Sequence, residues 1–204
     1  MSRYLVAGGV GFIGFHVVRE LVASGDDVRV LDNFSTGRRE NLQAVSARIK
    51  VDEVDICDAE AVRPLFAGIN YVIHLAALPS VARSVADPAG TNATNLDGTL
   101  HVLLAARDAG VNRPVFEASA AAYGDNPTLP RKELQMPNPL SPYALTKLAG
   151  EHYCRIFTKI NGFETVALRF FNIFGPGQNP ESSHTGVLSK FIAAYIRETR
   201  PVIF

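Results

Sequence analysis

The chain has 204 residues, 47% of them hydrophobic and 20% charged, and its 20 basic side chains balance its 20 acidic ones to a formal net charge of zero. That composition excludes a highly charged disordered chain, and it excludes a protein that finds nucleic acid or an anionic membrane through excess basic charge. The length suits a single domain able to bury a sizeable core.

Residues 4–7 read as a short strand, followed by a helix over 12–24 with Ile13, Val17, Val18, Leu21 and Val22 on one face. Further strands are expected at 28–31, 49–51, 71–75, 114–116 and 165–169, alternating with helices near 58–67, 92–109, 142–160 and 184–198. Strands separated by helices pair in parallel through right-handed crossovers, so the fold class is α/β with a doubly wound parallel sheet. The proline-rich loops at 126–139 and 175–180 would then lie at the carboxyl edge of the sheet, where ligands bind in such folds. No stretch approaches the length of a membrane span, and the apolar run at the start is too short for a signal peptide. Cys57 and Cys154 stand far apart with no CxxC or Cys/His cluster near either, and His74, His101, His152 and His184 lack metal-ligand spacing. A soluble, cytoplasmic protein without a metal site is the expectation.

Three constellations carry chemistry. The first is Gly8-Gly9-Val10-Gly11-Phe12-Ile13-Gly14, which satisfies GxGxxG at Gly9, Gly11 and Gly14 and GxxGxxG at Gly8, Gly11 and Gly14. It follows a predicted strand and opens a predicted helix, and Asp32 ends the next strand. Glycines let the backbone approach a pyrophosphate, and the helix N-terminus offers free N–H groups. A carboxylate at Asp32 accepts hydrogen bonds from a ribose diol and repels a 2′-phosphate, which favours NAD over NADP, although Arg38 and Arg39 nearby pull the other way.

The second constellation is Tyr143-Ala144-Leu145-Thr146-Lys147, introduced by Ser141-Pro142. Proline suits the first turn of a helix, and Tyr143 and Lys147 then share one face. An ammonium near a phenol favours the phenolate and brings a weak base into range. A solvated i,i+4 pair would be the default for this spacing alone, and the upstream fingerprint tips the reading towards catalysis. The third is Ser119, at the carboxyl end of a predicted strand and followed by Ala120-Ala121-Ala122. Its hydroxyl suits either a reacting sugar oxygen or a helix or turn cap.

Together these motifs resemble the extended short-chain dehydrogenases/reductases, specifically the NAD-dependent nucleotide-sugar epimerase/dehydratase family. Asp32-Asn33-Phe34-Ser35-Thr36-Gly37, Asp55-Ile56, His74-Leu75-Ala76-Ala77, Asn95-Leu96-Asp97-Gly98-Thr99 and Arg169-Phe170-Phe171-Asn172 fall in the family's order. The resemblance implies that Gly8, Gly11, Phe12, Ile13, Gly14, Asp32, Asn33, Ser35, Thr36, Gly37, Asp55, Ile56, Leu75, Ala76, Ala77, Asn95, Tyr143, Lys147 and Phe170 hold the cofactor, NAD. It implies that Ser119, Tyr143 and Lys147 are catalytic, and that Ser80, Ser119, Tyr143, Asn172 and Val187 meet a nucleotide-sugar, with the Val81-Ala82-Arg83 segment nearby. Dehydratases of the family carry an Asp-Glu pair beside the loop serine or threonine. Ala120-Ala121-Ala122 offers no carboxylate, which points to 4-epimerisation of a UDP-sugar by transient hydride transfer. A catalytically impaired NAD-binding module and a one-way nucleotide-sugar dehydrogenase/reductase are the alternatives.

The chain departs from the family pattern at Ala7, where threonine is usual, at Phe15, where a small polar residue is usual, and at Ala120 and Ala121. The resemblance further implies an NAD-binding Rossmann domain over 1–170 and a substrate-binding region that only begins at 171–204, its C-terminal part missing. It implies a homodimer as well, with Leu103, Leu104, Leu148, His152 and Tyr153 as candidate apolar surface.

Overall fold

A computed structural model describes residues 1–179 and 187–201; Pro180, His184, the expected start of the last helix and residues 202–204 lie outside the described residues. Six strands form one sheet: β1 (Arg3–Ala7), β2 (Asp27–Asp32), β3 (Ile49–Glu53), β4 (Tyr71–His74), β5 (Arg113–Ser119) and β6 (Val166–Phe170). Their order is β3-β2-β1-β4-β5-β6, and each neighbouring pair is parallel. The doubly wound α/β sheet expected from the strand and helix alternation is therefore present, with all six strands where the apolar runs place them.

Both faces of the sheet are covered, and the strands show it by alternation. Leu5 and Ala7 face one apolar cluster with Leu31, Val72 and Phe116, while Val6 faces the other with Val28 and Val30. The chain leaves the sheet edge at β3 and returns beside β1 as β4. That reversal opens a crevice at the carboxyl ends of β1 and β4, the place where open α/β sheets bind ligands.

The helices are α1 (Phe12–Ala23), α2 (Ala59–Val62), α3 (Val81–Ala86), α4 (Pro88–Asn92), α5 (Gly98–Asp108), α6 (Pro142–Asn161) and α7 (Val187–Ile196). The single helix expected near 58–67 is instead α2 followed by a 3-10 turn, Arg63–Phe66, because Pro64 supplies no amide proton for α-helical bonding. The helix expected from 92 is preceded by α3 and α4 and begins as a π-helical stretch, Ala93–Asp97. Both short helices are started by side-chain caps: Ser80 Oγ accepts from Arg83 N at 3.0 Å and Asp87 Oδ1 from Gly90 N at 2.9 Å. Among the described residues, no helix is long and apolar enough to cross a membrane.

Two contacts set the position of α6. Gly150 lies so close to β5 that a Cβ on it would stand 2.6 Å from Phe116 Cζ. Arg169 on β6 grips Glu151 with two bonds, Nε to Oε2 at 2.7 Å and Nη2 to Oε1 at 2.8 Å. Leu103 and Leu148, expected at a pairing surface, are buried in the core, because both belong to the inward faces of their helices. Leu104 and Tyr153 are half-buried and His152 is exposed. The exposed apolar residues of α6 are Leu145, Ile156 and Ile160.

Replacing Gly150 with valine pushes two branched methyls towards the Phe116 ring. Gly150→Val should lower the stability to urea by about 2 kcal/mol, within the range for overpacked cores, and wild-type stability in the variant would show that α6 has room to move off β5.

Candidate active site

The mouth of the crevice is the turn after β1. Gly8 has φ +83°, and a Cβ there would lie 2.5 Å from Ala76 N. A Cβ on Gly14 would lie 2.1 Å from Gly8 O. The turn, the first turn of α1 and the segment after β4 thus pack backbone on backbone, which only glycine allows. Gly11 caps α1 in extended conformation without a side-chain bond, and the first turn, which holds Phe12 and Ile13, has no acidic residue. Its free N–H groups and the helix dipole favour an anion.

Asp32, at the end of β2, is bonded into this turn. Its Oδ2 accepts from Val10 N at 3.1 Å and its Oδ1 from Phe34 N at 2.9 Å. Burial pushes its carboxyl above the usual range, opposed by backbone N–H groups of Phe34, Val10 and Asn33. Asn33 links the next two pieces: Oδ1 accepts from Ser35 N at 3.0 Å, and Nδ2 donates to Asp55 Oδ2 at 2.9 Å. Burial acts to raise the Asp55 carboxyl, but bonds from Cys57 and Asn33 outweigh it and hold the group below its ordinary value. Gly37 packs on Val10, where a Cβ would meet Val10 Cγ2 at 2.5 Å; Ser35 and Thr36 are exposed. Arg39 is engaged, with Nη2 2.8 Å from Glu53 Oε2 and its guanidinium 4.1 Å above the Phe34 ring. Ile56 turns its side chain into the core beneath Gly98 rather than to the surface.

Leu75, Ala76 and Ala77 follow β4, with Leu75 N donating to Ala7 O at 2.8 Å. Asn95 is buried and clasps the next residue on both sides: Oδ1 accepts from Leu78 N at 2.7 Å, and Nδ2 donates to Leu78 O at 3.2 Å and to Thr146 Oγ1 at 3.4 Å. Asn95 thereby links the segment after β4 to α6.

β5 ends at Ser119, directly beside Phe170 in the strand register. Ser119 Oγ accepts from Ala121 N at 3.2 Å and so caps the 3-10 turn Ala120–Tyr123. The hydroxyl keeps its own proton and a second lone pair, so the cap leaves chemistry open to it. Tyr143 lies half-buried in the first turn of α6, whose cap is Ser141. One turn on, the buried Lys147 donates from Nζ to Glu117 O at 2.8 Å and stands 3.7 Å from Glu117 Oε2. Lys147 is thereby fastened to β5 two residues before Ser119, so the strand end and the α6 face meet at the carboxyl edge.

Several residues of this cluster were not anticipated as polar partners. Thr99 donates to Asn95 O at 2.7 Å and lies 2.9 Å from His74 Nε2. With its one proton spent on Asn95, the hydroxyl accepts from His74, which fixes the Nε2–H tautomer and leaves the buried His74 Nδ1 without a partner. Burial and the neighbouring Lys147 charge push His74 down to about 3. The sequence signal for Glu117 is an acidic residue inside an apolar strand.

Ser80 caps α3 and is buried. Asn172 and Val187 are exposed, and no described hydrogen bond or ring contact ties either to Ser119 or Tyr143. Phe15 does not disturb the glycine turn. It is buried in the core and bears on Gly177, while His16 Nε2 donates to Pro176 O at 2.9 Å, so α1 holds the loop after β6. Among the described residues, no group of His, Cys, Asp and Glu side chains could hold a metal ion.

A model of the NAD dependent epimerase/dehydratase family matches residues 4–204. The chain belongs to that family. It is 38% identical over 206 residues to the UDP-glucose 4-epimerase of Mycolicibacterium smegmatis, covering 99% of this chain and 66% of the relative. The UDP-N-acetylglucosamine 4-epimerase from Methanobrevibacter ruminantium, solved with UDP-N-acetylmuramic acid, superposes with a TM-score of 0.94 at 38% identity, covering 100% of this chain and 65% of that one. The Thermus thermophilus UDP-glucose 4-epimerase in complex with NAD superposes at 0.87 with 40% identity, covering 97% and 63%. The chain spans just under two thirds of the length of these epimerase/dehydratase family members.

The buried histidine makes stability depend on pH. As pH falls through about 6.5 the unfolded chain binds a proton at His74 that the folded chain refuses until about 3, so stability falls across that window. The loss at pH 5 should be about 2 kcal/mol. Urea unfolding at pH 7.5 and pH 5 checks this: His74→Gln, which keeps a donor for Thr99, should flatten the difference, and an unchanged pH slope would count against it.

Proposed function

We propose that the chain holds NAD at the carboxyl edge of its sheet and epimerises a UDP-sugar at C4, with UDP-glucose/galactose, their N-acetyl forms or UDP-glucuronate as the substrate class. The observation that carries this is the fastening of Lys147 to β5 beside Ser119, one helical turn from Tyr143, at the edge where the glycine turn opens. The named activities of the similar epimerases support it. The residues fit the cofactor: the positions a Cβ would fill at Gly8 and Gly14, and the uncapped first turn of α1, suit a pyrophosphate. Asp32, Asn33, Ser35, Thr36, Gly37, Asp55 and the backbone of Ile56 would take the adenosine side, with Leu75, Ala76, Ala77, Asn95 and Phe170 along the rest of the cleft. The Asp32 carboxylate, with Arg39 held by Glu53, favours NAD over NADP.

When bound, NAD supplies a hydride acceptor and donor for C4 of the sugar. Tyr143 removes the proton of the 4-hydroxyl and returns one after the keto sugar has turned its other face. Lys147, one helical turn on, is the cation this reading assigns to that proton transfer. Ser119 hydrogen-bonds the reacting oxygen and keeps its own proton. Ala120-Ala121-Ala122 brings no acid or base to that loop for eliminating water, which favours epimerisation over dehydration. In this reading residues 1–170 are the cofactor half, and 171–204, with Asn172 and Val187, begin the sugar side beside Ser80.

A homodimer is part of the proposal, through the outer face of α6, where Leu145, Ile156 and Ile160 are exposed. Light scattering should give twice the chain mass, and Ile156→Asp should give a monomer; a monomeric wild type at working concentration would remove this part.

For the chemistry, protein with bound NAD is mixed with UDP-glucose and read by absorbance of reduced nicotinamide and by UDP-galactose formed. Tyr143→Phe should retain NAD and lose about 100-fold or more in turnover, the usual scale for a general base. Near-full activity in that variant would overturn the assignment. Net consumption of added NAD would mark a one-way dehydrogenase, and NAD bound without any reduction would mark a binding module.

A further inference from the structure

We propose that Glu117 is a positioning residue whose carboxylate offsets the Lys147 ammonium and so makes Tyr143 a stronger base than that ammonium alone would. The inference rests on the catalytic reading of Tyr143 and Lys147 given above. Lys147 is held to residue 117 in two separable ways. The 2.8 Å bond from Nζ goes to the backbone carbonyl, which any residue at 117 provides, whereas the charge comes from the side chain, with Oε2 3.7 Å from Nζ. The backbone bond therefore remains when the side chain is exchanged, while the lysine's field changes.

The surroundings leave that field little competition. The Lys147 and Glu117 side chains retain 2% and 16% of their exposure, so the pair acts through poorly screened protein. His74 from β4 is neutral. Arg169 on β6 and Glu151 on α6 neutralise one another through two bonds. Tyr123, on the turn after β5, is buried beneath the Arg169 guanidinium. Arg83 on α3, Asp87 before α4 and Asp97 in the π-helical stretch are exposed, and on α5 His101 bonds Ile56 O while Arg107 pairs with Asp108. Glu117 is therefore the charge beside Lys147, and on the catalytic reading it decides whether Tyr143 meets a bare ammonium or an ion pair. A bare ammonium would stabilise the phenolate more strongly, giving an ionised but less basic oxygen. Burial pushes the Glu117 carboxyl upward while Lys147 pulls it back, so the offset weakens on the acid side as the carboxyl takes up its proton.

The test titrates Tyr143 itself. The chain has six tyrosines, which are labelled with carbon-13 at Cζ. The Tyr143 signal is assigned as the one missing from Tyr143→Phe, and its midpoint is followed by NMR in the protein with and without NAD. Glu117→Gln should lower the midpoint by about one pH unit, the scale of one unit charge acting in a partly buried site. Glu117→Asp, which keeps the charge, should stay near wild type, and Glu117→Ala should show the same lowering, which serves in place of Glu117→Gln where the glutamine protein does not fold. An unchanged or raised midpoint in the neutral variants would overturn the proposal. Because this readout needs no turnover, it stands apart from the epimerase assignment: an active Tyr143→Phe sinks that reading, whereas an unmoved midpoint sinks only the role of Glu117.

Discussion

The close approach of backbone to backbone at Gly8 governs the geometry of the whole carboxyl edge. Where a side chain would stand, the amide of Ala76 passes, and Gly14 closes over the Gly8 carbonyl in the same way. β1, α1 and the segment after β4 therefore meet with no spacer between them. From there the geometry is passed on by hydrogen bonds. Asp32 ties the second strand to the turn through Val10, and Asn95 ties the segment after β4 to α6 through Leu78 and Thr146. An added methyl in the turn would separate these layers by more than a hydrogen bond tolerates.

Beneath this edge lies a polar layer inside an otherwise apolar core. His74, Thr99, Asn95, Thr146 and Lys147 are all buried, and most of their bonds go to backbone or to one another. Such groups are costly to bury unless they are paired. Nearly all are paired, and the exception, His74 Nδ1, sits beside the lysine. The layer holds α6 in one place relative to β4 and β5. If Tyr143 and Lys147 act as proposed, that matters, since a shift of an ångström in the phenol would misplace a proton transfer.

The sequence shows the sheet plainly because each strand is a short apolar run, and runs such as Tyr4 to Ala7 have no competing reading. The glycine turn and the Tyr143/Lys147 spacing are equally visible. What lies between is not. α3 and α4 are too short for a helical period to emerge, and their start signals, Ser80 and Asp87, also suit loops. Pro64 splits a helix that periodicity alone would continue. At the site, Glu117 is seen in the sequence only as a misplaced charge, because its partner Lys147 comes from a distant helix. Leu103 and Leu148 show the opposite limit: an apolar residue on a helix looks the same in sequence whether it faces a sheet or a partner.

The bonds at Asp32 have a consequence for how cofactor preference can change in this fold. The carboxylate that would distinguish the two ribose forms also fastens the glycine turn, through Val10, to the strand beside it. Were Asp32 to select between the ribose forms, selectivity and scaffold would rest on the same two oxygens. A lineage drifting towards the phosphorylated dinucleotide cannot lose this charge at no structural cost; it must first acquire another acceptor for the Val10 amide. Preference in such a protein is therefore expected to switch by paired substitutions, with the neutral acceptor arriving before the new cation.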